Sequence, residues 1–166
     1  IIPHTTDEVW SYLHAQGVVE EVSVQLTDFP SVDEQANFDE LREKWETIID
    51  VRDDILKALE EARNAKTIGK SLEAKVTVYA KPEVLALLND ANIDFAQLSI
   101  VSNFGVAPIE SAPAEALVLE HVSIVVEKAT GEKCERCWSI SATVGANDAH
   151  PTVCARCAEV VEKYYV

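Results

Sequence analysis

Apolar residues recur at steps of three and four in the first half of the chain, and they predict a long amphipathic helix from about Asp33 to Asn64. The stripe consists of Leu41, Trp45, Ile48, Ile49, Ile55, Leu56, Leu59 and Ala62. Charged residues fill the opposite face, so we expect the stripe to pack against other helices in a bundle. Arg52 falls on the stripe and is expected to form an ion pair or to snorkel to solvent at the bundle edge. Gly69 is expected to close the helix.

A shorter helix is expected near the start of the chain. Thr5 and Glu8 have the spacing of a capping box, and Gly17 is expected to end the helix. Apolar and polar residues then alternate over residues 22–26, which predicts a short strand or extended segment.

The second half of the chain mixes short alternating and helical patterns. Strands are expected at residues 76–79, 99–102 and 117–128, and helices are expected from Pro82 and at residues 95–98. Residues 103–115 contain one glycine and two prolines and predict a loop. This order predicts a small α+β module after the long helix.

The four cysteines of the chain form two pairs, Cys134 with Cys137 and Cys154 with Cys157. Two cysteines separated by two residues can turn tightly around one ion, and two such knuckles supply four thiolates in a tetrahedron. The pattern therefore predicts one structural zinc ion. Four protein ligands leave no open position for water or substrate, so the site is not expected to be catalytic.

Other readings of the cysteines stay open at the level of sequence. Two disulfides are possible, although paired motifs in a reducing, cytoplasmic compartment favour a metal. Iron could occupy the same four sulfurs. His150 is a further candidate ligand, four residues before Cys154.

Several cations and one aromatic residue accompany the knuckles. Lys133, Arg136 and Arg156 lie beside the cysteines and could balance the negative cluster. The third residue of each knuckle, Arg136 or Arg156, is expected to point away from the ion and to present positive charge. Trp138 could pack on the knuckle or offer a face on which a nucleobase stacks.

The charge distribution leaves a nucleic-acid partner possible, although the formal charge of the 166-residue chain is −15. Lysine and arginine occur only in residues 42–81 and 128–166, and a local basic face could form there. No apolar stretch is long enough to predict a membrane span. The chain contains no Met, so we expect it to be a segment of a longer polypeptide.

The sequence resembles the C-terminal region of bacterial isoleucyl-tRNA synthetases. The resemblance is carried by Gly131-Glu-Lys-Cys-Glu-Arg-Cys-Trp138, by His150-Pro, and by Cys154-Ala-Arg-Cys157. Upstream, Pro3-His-Thr-Thr-Asp-Glu-Val-Trp10 and Ala62-Arg-Asn-Ala-Lys-Thr-Ile-Gly-Lys-Ser-Leu-Glu-Ala74 are similar to the end of that family's anticodon-binding domain.

The resemblance implies an α+β multi-module fold in three parts. Residues 1–75 would complete the helical anticodon-binding domain, residues 76–128 would form a small α/β junction module, and residues 129–166 would form the zinc-binding module. The parent enzyme would attach isoleucine to its tRNA using ATP. The family's two nucleotide-binding signatures, His-Ile-Gly-His and Lys-Met-Ser-Lys-Ser, are absent from the chain. Catalytic and editing sites are therefore expected elsewhere in the same polypeptide.

The implied partner is the anticodon stem-loop of the isoleucine tRNA. We expect two groups of residues to contact it: Arg136, Trp138 and Arg156 on the knuckles, and Arg63, Lys66 and Lys70 at the end of the long helix. The competing hypothesis is a zinc-ribbon adaptor that binds another protein through an acidic helical surface. The net negative charge favours the adaptor, whereas the resemblance and the confined basic windows favour tRNA.

Overall fold

The computed structural model describes residues 2–33, 38–89 and 92–165, which form two compact units. The units are Ile1–Phe38 and Asp39–Val166. The domain boundaries expected after residues 75 and 128 stay a prediction. Both lie within the second unit, where the long helix and the sheet share one hydrophobic core.

In the described part of the first unit, helix α1 (Pro3–Ala15) is followed by a 3₁₀ turn at Val24–Leu26. The expected capping box is wrong, because Thr5 lies inside the helix and the capping residue, Ile2, has no side-chain bond to the helix. Proline at the first position replaces it as the start signal. Gly17, at φ +70°, follows the helix end as expected. The short strand expected over residues 22–26 is also wrong, because Val24–Leu26 form the 3₁₀ turn.

The long helix of the second unit is α2 (Asp39–Asn64). It begins later than expected, since residue 33 is not helical and residues 34–37 lie outside the described part of the chain. It also ends before Gly69. Lys66 takes the left-handed conformation (φ +61°), and the Thr67 N–H bonds to the Ala62 carbonyl at 2.9 Å. Lys66 therefore takes the position past the helix end that glycine most often occupies.

The apolar stripe of α2 is buried only over its C-terminal part. The fully or nearly fully buried residues on α2 are Ile48, Val51, Asp54, Ile55, Ala58, Leu59 and Ala62. Apart from Asp54, they pack in one core with the sheet and the two short helices. Leu41, Trp45 and Ile49 remain exposed. The Arg52 Nε donates to the Leu98 carbonyl at 3.2 Å, so its main contact is a backbone oxygen.

A four-stranded mixed sheet, in the order β2-β1-β4-β3, lies against α2. Its strands are β1 (Ala74–Ala80), β2 (Asn103–Pro108), β3 (Leu117–Val118) and β4 (Ser123–Lys128). β1 and β2 are parallel, and α3 (Pro82–Leu88) and α4 (Phe95–Ser99) lie on the connection between them. The predicted strand at 76–79 and the two predicted short helices are confirmed.

Two strand predictions and one loop prediction around this sheet need correction. Residues 99–102 are not a strand, because Ile100 adopts the left-handed conformation that ends α4. Residues 103–108, expected in a loop, form β2, whose place at the sheet edge tolerates a proline at its end. The single strand expected over residues 117–128 is a hairpin, and the Leu119 N–H closes its turn on the Val122 carbonyl at 2.9 Å.

The buried carboxylate of Asp54 attaches this hairpin to α2. It accepts bonds from the backbone N–H and the ring of His121, each at 3.1 Å, and from the Lys57 ammonium at 3.0 Å. Burial by itself would raise the pKa of Asp54, but these bonds outweigh it and lower the pKa. The carboxylate is therefore ionised at neutral pH.

The last described part of the chain, up to residue 165, contains two very short strands and one helix. β5 (Glu132–Lys133) pairs antiparallel with β6 (Ile140–Ser141), and α5 (Ala155–Tyr164) follows. Among the described residues, no helix has the length and apolar content needed to cross a membrane.

Candidate metal centre

The two cysteine pairs converge at the end of the second unit. The Sγ atoms of Cys134, Cys137, Cys154 and Cys157 all lie within 4.8 Å of one another. The Sγ atoms of Cys137 and Cys154 are 3.9 Å apart. A zinc tetrahedron with bonds of about 2.3 Å spaces its sulfurs about 3.8 Å apart, so the donor set fits one zinc ion.

Local backbone turns orient the sulfurs inward. The Trp138 N–H bonds to the Cys134 carbonyl at 2.9 Å and closes the first knuckle. Cys154 is the capping residue of α5 and directs its own N–H to the Cys134 sulfur at 3.3 Å. A sulfur that receives backbone N–H bonds is stabilised as a thiolate, which is the form that binds zinc.

The thiols differ in acidity in a way that suits a metal site. Burial raises the pKa of Cys134, but N–H bonds from Cys137, Cys154 and Arg136 outweigh it and lower the pKa to about 6. At Cys154 burial dominates and raises the pKa to about 12. A cation among the sulfurs is therefore needed to ionise the Cys154 thiol at neutral pH.

The four cysteines are unbonded thiols, so the two-disulfide alternative has no support. His150 is not part of the sulfur cluster among the described residues, and its backbone N–H instead closes a turn on the Asn147 carbonyl. The site is thus a closed set of four cysteines that holds a single structural zinc.

The two knuckle arginines do not point away from the metal site, so that expectation is wrong. The Arg136 guanidinium donates to the Cys157 sulfur at 3.6 Å, and the Arg156 guanidinium bonds to the Cys137 sulfur. Each arginine therefore reaches a cysteine of the other pair and balances its charge. Both side chains nevertheless remain exposed to solvent.

Trp138 does not pack into the knuckle. It is 61% exposed, and the Lys133 ammonium lies 5.2 Å from the centroid of its ring. Its backbone is in the left-handed region at φ +66°. Such a conformation costs a bulky residue about 1 kcal/mol or more relative to glycine.

The second expected group lies at the end of α2. Arg63 is engaged by Glu60 and by the Ser71 hydroxyl, the latter at 3.0 Å, so it supports the fold locally. Lys66 and Lys70 are exposed. Both groups remain predicted contacts, with Arg63 engaged within the fold and the two lysines open to solvent.

A serine that carried no sequence signal connects the metal site to the sheet. The Ser102 hydroxyl donates to the Leu72 carbonyl at 2.5 Å and accepts the Ile140 N–H at 2.7 Å. An open cleft of about 450 Å³ lies beside it, lined by residues of both parts, including Gln97, Asn103 and Arg156. These contacts join residues distant in sequence, and therefore no local pattern could predict them.

Two families match the chain, each over one part. Residues 1–78 match the family described as "Anticodon-binding domain of tRNA ligase". Residues 131–160 match the family described as "Zinc finger found in FPG and IleRS". Both family descriptions name tRNA ligases, the second together with FPG.

The relatives narrow the class further. The isoleucine–tRNA ligases of Geobacillus thermodenitrificans and Halalkalibacterium halodurans are each 54% identical to this chain. The matches cover 99% and 100% of the chain, respectively. That of Bacillus cereus strain AH820 is 50% identical over 100% of the chain. Along its whole length the chain thus matches isoleucyl-tRNA synthetases, whose C-terminal region it resembles. It spans 18% of the length of each of these relatives. None of these matches supports the adaptor alternative.

Proposed function

We propose that this segment binds the anticodon stem-loop of the isoleucine tRNA, as the C-terminal part of a cytoplasmic isoleucine–tRNA ligase. The rest of the same polypeptide would activate isoleucine with ATP and transfer it to the tRNA. Zinc would act here only as a structural cross-link that holds the knuckles rigid, which limits the ordering cost on binding. Support comes from the two family matches and the three relatives.

The exposed ring of Trp138 is the observation that carries the proposal. A tryptophan that is both solvent-exposed and held at φ +66° contributes little to packing and strains the backbone. Its ring can stack on an unpaired base, an interaction worth about 1–3 kcal/mol. Lys133, beside the ring, adds a cation that can reach a phosphate.

The knuckle arginines would contribute mainly by balancing the sulfur cluster and secondarily through their exposed edges. Lys66 and Lys70 would contact phosphates without reading bases, because flexible cations position an RNA and do not select its sequence. Arg63, already engaged by Glu60 and Ser71, would act chiefly by holding the turn that presents the two lysines.

The test separates the ring of Trp138 from its backbone. Trp138→Gly removes the ring and relieves the left-handed strain, whereas Trp138→Phe keeps an aromatic face. With zinc bound, we expect Trp138→Gly to bind the metal as well as the parent chain but to bind isoleucine tRNA about 1–3 kcal/mol more weakly. Trp138→Phe should retain most of the affinity.

The measurement is a tRNA titration at two salt concentrations, with zinc content determined for each variant. True phosphate contacts produce a steep loss of affinity with salt. If Trp138→Gly binds tRNA as the parent does, the ring has no part in recognition. If the parent chain shows no salt-sensitive binding to tRNA, the proposed function is wrong for this segment.

A further inference from the structure

The two basic windows of the sequence meet at one corner of the second unit. Lys128, from the second window, lies opposite Ala74 in the ladder between β1 and β4. The N–H of the next residue, Ala129, bonds to the Glu73 carbonyl at 2.7 Å. Lys70, from the first window, precedes the 3₁₀ turn that ends at Glu73. Lys70 and Lys128 therefore lie on either side of Glu73, although they are far apart in the chain.

The Glu73 carboxylate holds this corner together. It accepts the Gly69 N–H at 2.8 Å, and this bond, with the charges of Lys128 and Lys70, lowers the pKa of Glu73. The carboxylate attracts both lysines without closing an ion pair with either. No described residue forms an ion pair within 4.0 Å of Lys66, Lys70, Lys128 or Lys133.

The zinc module is attached to the same corner. Ser102 links the Ile140 N–H of β6 to the Leu72 carbonyl, one residue before Glu73. Lys133 lies on β5, which pairs with β6, and its ammonium reaches the ring of Trp138. We call Lys70 and Lys128, beside Glu73, together with Lys133 and Trp138 on the attached knuckle, the junction corner.

We infer that the junction corner is one continuous binding surface for the phosphodiester backbone of a folded RNA, with Lys128 and Lys133 as contacts additional to Lys70 and Trp138. The inference rests on the proposed function and deepens it, because it makes a single surface of two groups separated in sequence. Lys70 and Lys128 would hold the backbone at the sheet, and Lys133 and Trp138 would hold the nucleotide that follows on the knuckle.

The composition of the corner favours RNA over an acidic peptide. Three exposed ammonium groups would attract either ligand. An exposed indole beside one of them, however, offers a flat face that every nucleobase can use and that a carboxylate cannot. The acidic residues 82–127 supply no cation, so RNA would engage the chain at this corner and not across the sheet module.

A lysine-protection experiment tests the surface without any substitution. The zinc-loaded chain is acetylated with a limiting amine-reactive reagent, with and without isoleucine tRNA, and each lysine is quantified by mass spectrometry. We expect tRNA to protect Lys70, Lys128 and Lys133 at least threefold. Lys81 should stay reactive, because it follows the opposite end of β1, roughly 20 Å away at about 3.3 Å per residue.

A matched pair of variants supplies the second readout. Lys128→Ala should weaken tRNA binding several-fold and reduce the slope of log affinity against log salt by about 0.7–0.9, the effect of one lost phosphate contact. Lys81→Ala removes the same charge and should change neither quantity. Zinc content should equal that of the parent in both variants.

The outcomes separate this inference from the proposed function. Suppose that the parent chain binds tRNA, that Lys128 and Lys133 stay as reactive as Lys81, and that Lys128→Ala binds tRNA as the parent does. The single surface would then be wrong, and the proposed tRNA binding would stand. Absence of any tRNA binding by the parent chain would overturn both. Equal protection by polyglutamate and by tRNA would show an acidic-peptide site in place of an RNA site.

Discussion

Asp54 shows how one buried side chain can fix two segments that lie far apart in the sequence. Its carboxylate, 1% exposed, receives the backbone N–H and ring of His121 together with the Lys57 ammonium. A buried carboxylate is costly unless its oxygens are fully bonded, and here three donors meet that condition. The position of the β3–β4 turn on α2 depends on this residue.

We predict that Asp54→Ala lowers the free energy of unfolding by about 1–3 kcal/mol, because it leaves the His121 N–H and ring without their acceptor. Urea denaturation of the zinc-loaded chain, followed by far-ultraviolet circular dichroism, measures the change. Asp53→Ala is the matched control, since Asp53 is exposed and only approaches Arg52 at 3.8 Å. Equal stability of the two variants would show that the carboxylate does not hold the hairpin.

The same residue predicts a pH dependence. The folded-state pKa of Asp54 is lowered from its ordinary value of 3.8, so the ionised form stabilises the fold above that value. This contribution is lost as the pH falls through the lowered pKa. The stability gap between parent and Asp54→Ala should therefore be constant at neutral pH and should narrow below about pH 4.

Single residues also show which parts of the site a sequence can predict. The four cysteines were identifiable because a knuckle is a local structure whose spacing fixes its geometry. The directions of the Arg136 and Arg156 side chains could not be predicted from the sequence, since each guanidinium reaches a sulfur in the other cysteine pair. That contact exists only once the two knuckles have come together.

At the scale of elements, the β5–β6 hairpin positions the first knuckle, and Gly131 makes it possible. Gly131 has φ +121°, a conformation essentially restricted to glycine. A Cβ placed there would overlap the backbone of Ser141 and Ala142. The hairpin therefore closes only because residue 131 has no side chain.

We predict that Gly131→Ala forces the hairpin apart and weakens zinc binding at least tenfold, as measured by competition with a chromophoric chelator. Gly145→Ala is the control within the same module. Gly145 also has a positive φ of +84°, but a Cβ at this position would lie 3.8 Å from its nearest neighbour, the Pro151 carbonyl oxygen. The Gly145→Ala variant should keep most of its zinc affinity. If both variants lose zinc affinity to a comparable extent, backbone strain at a positive φ causes the loss, and not the overlap of the Cβ with Ser141 and Ala142.

The elements that the sequence predicted are those whose signal is local. Helix α2 and strand β1 carry long periodic runs, and Pro82 marks the start of α3. β2 was missed because Gly105 and Pro108 indicate a loop unless the strand is known to lie at a sheet edge. The β3–β4 turn was missed because Asp54, on a distant helix, holds it.

At the scale of the whole molecule, net charge is a poor guide to the partner. The chain carries −15 overall, yet Lys70, Lys128 and Lys133 lie on the segments that join the end of α2, the start of β1 and the zinc module. A surface of local positive charge within an acidic protein can attract RNA while the remaining surface repels it. The partner is therefore decided by the distribution of charge, which depends on the fold.

The junction corner has two halves, the lysines beside the sheet and the residues of the knuckle, and their alignment depends on Ser102. Its hydroxyl bridges the Leu72 carbonyl and the Ile140 N–H, so this side chain helps to fix the orientation of the knuckle relative to the sheet. We predict that Ser102→Ala keeps the zinc ion, because no cysteine contact is lost, but lowers stability by about 1 kcal/mol. It should also speed hydrogen exchange at the Ile140 amide and weaken tRNA binding, since the lysines of the junction corner would no longer be held in line with Trp138.

Exchange measured by NMR on the zinc-loaded chain, together with the tRNA titration, checks both effects. Ser111→Ala is the matched control, because the exposed Ser111 hydroxyl bonds only to the nearby Pro108 carbonyl, at 2.7 Å. It should alter neither exchange at Ile140 nor tRNA affinity. If Ser102→Ala speeds exchange but leaves tRNA affinity at the parent value, the knuckle and the sheet bind RNA independently. If exchange at Ile140 is also unchanged, other contacts, such as the bond from Ala129 to Glu73, hold the knuckle in place.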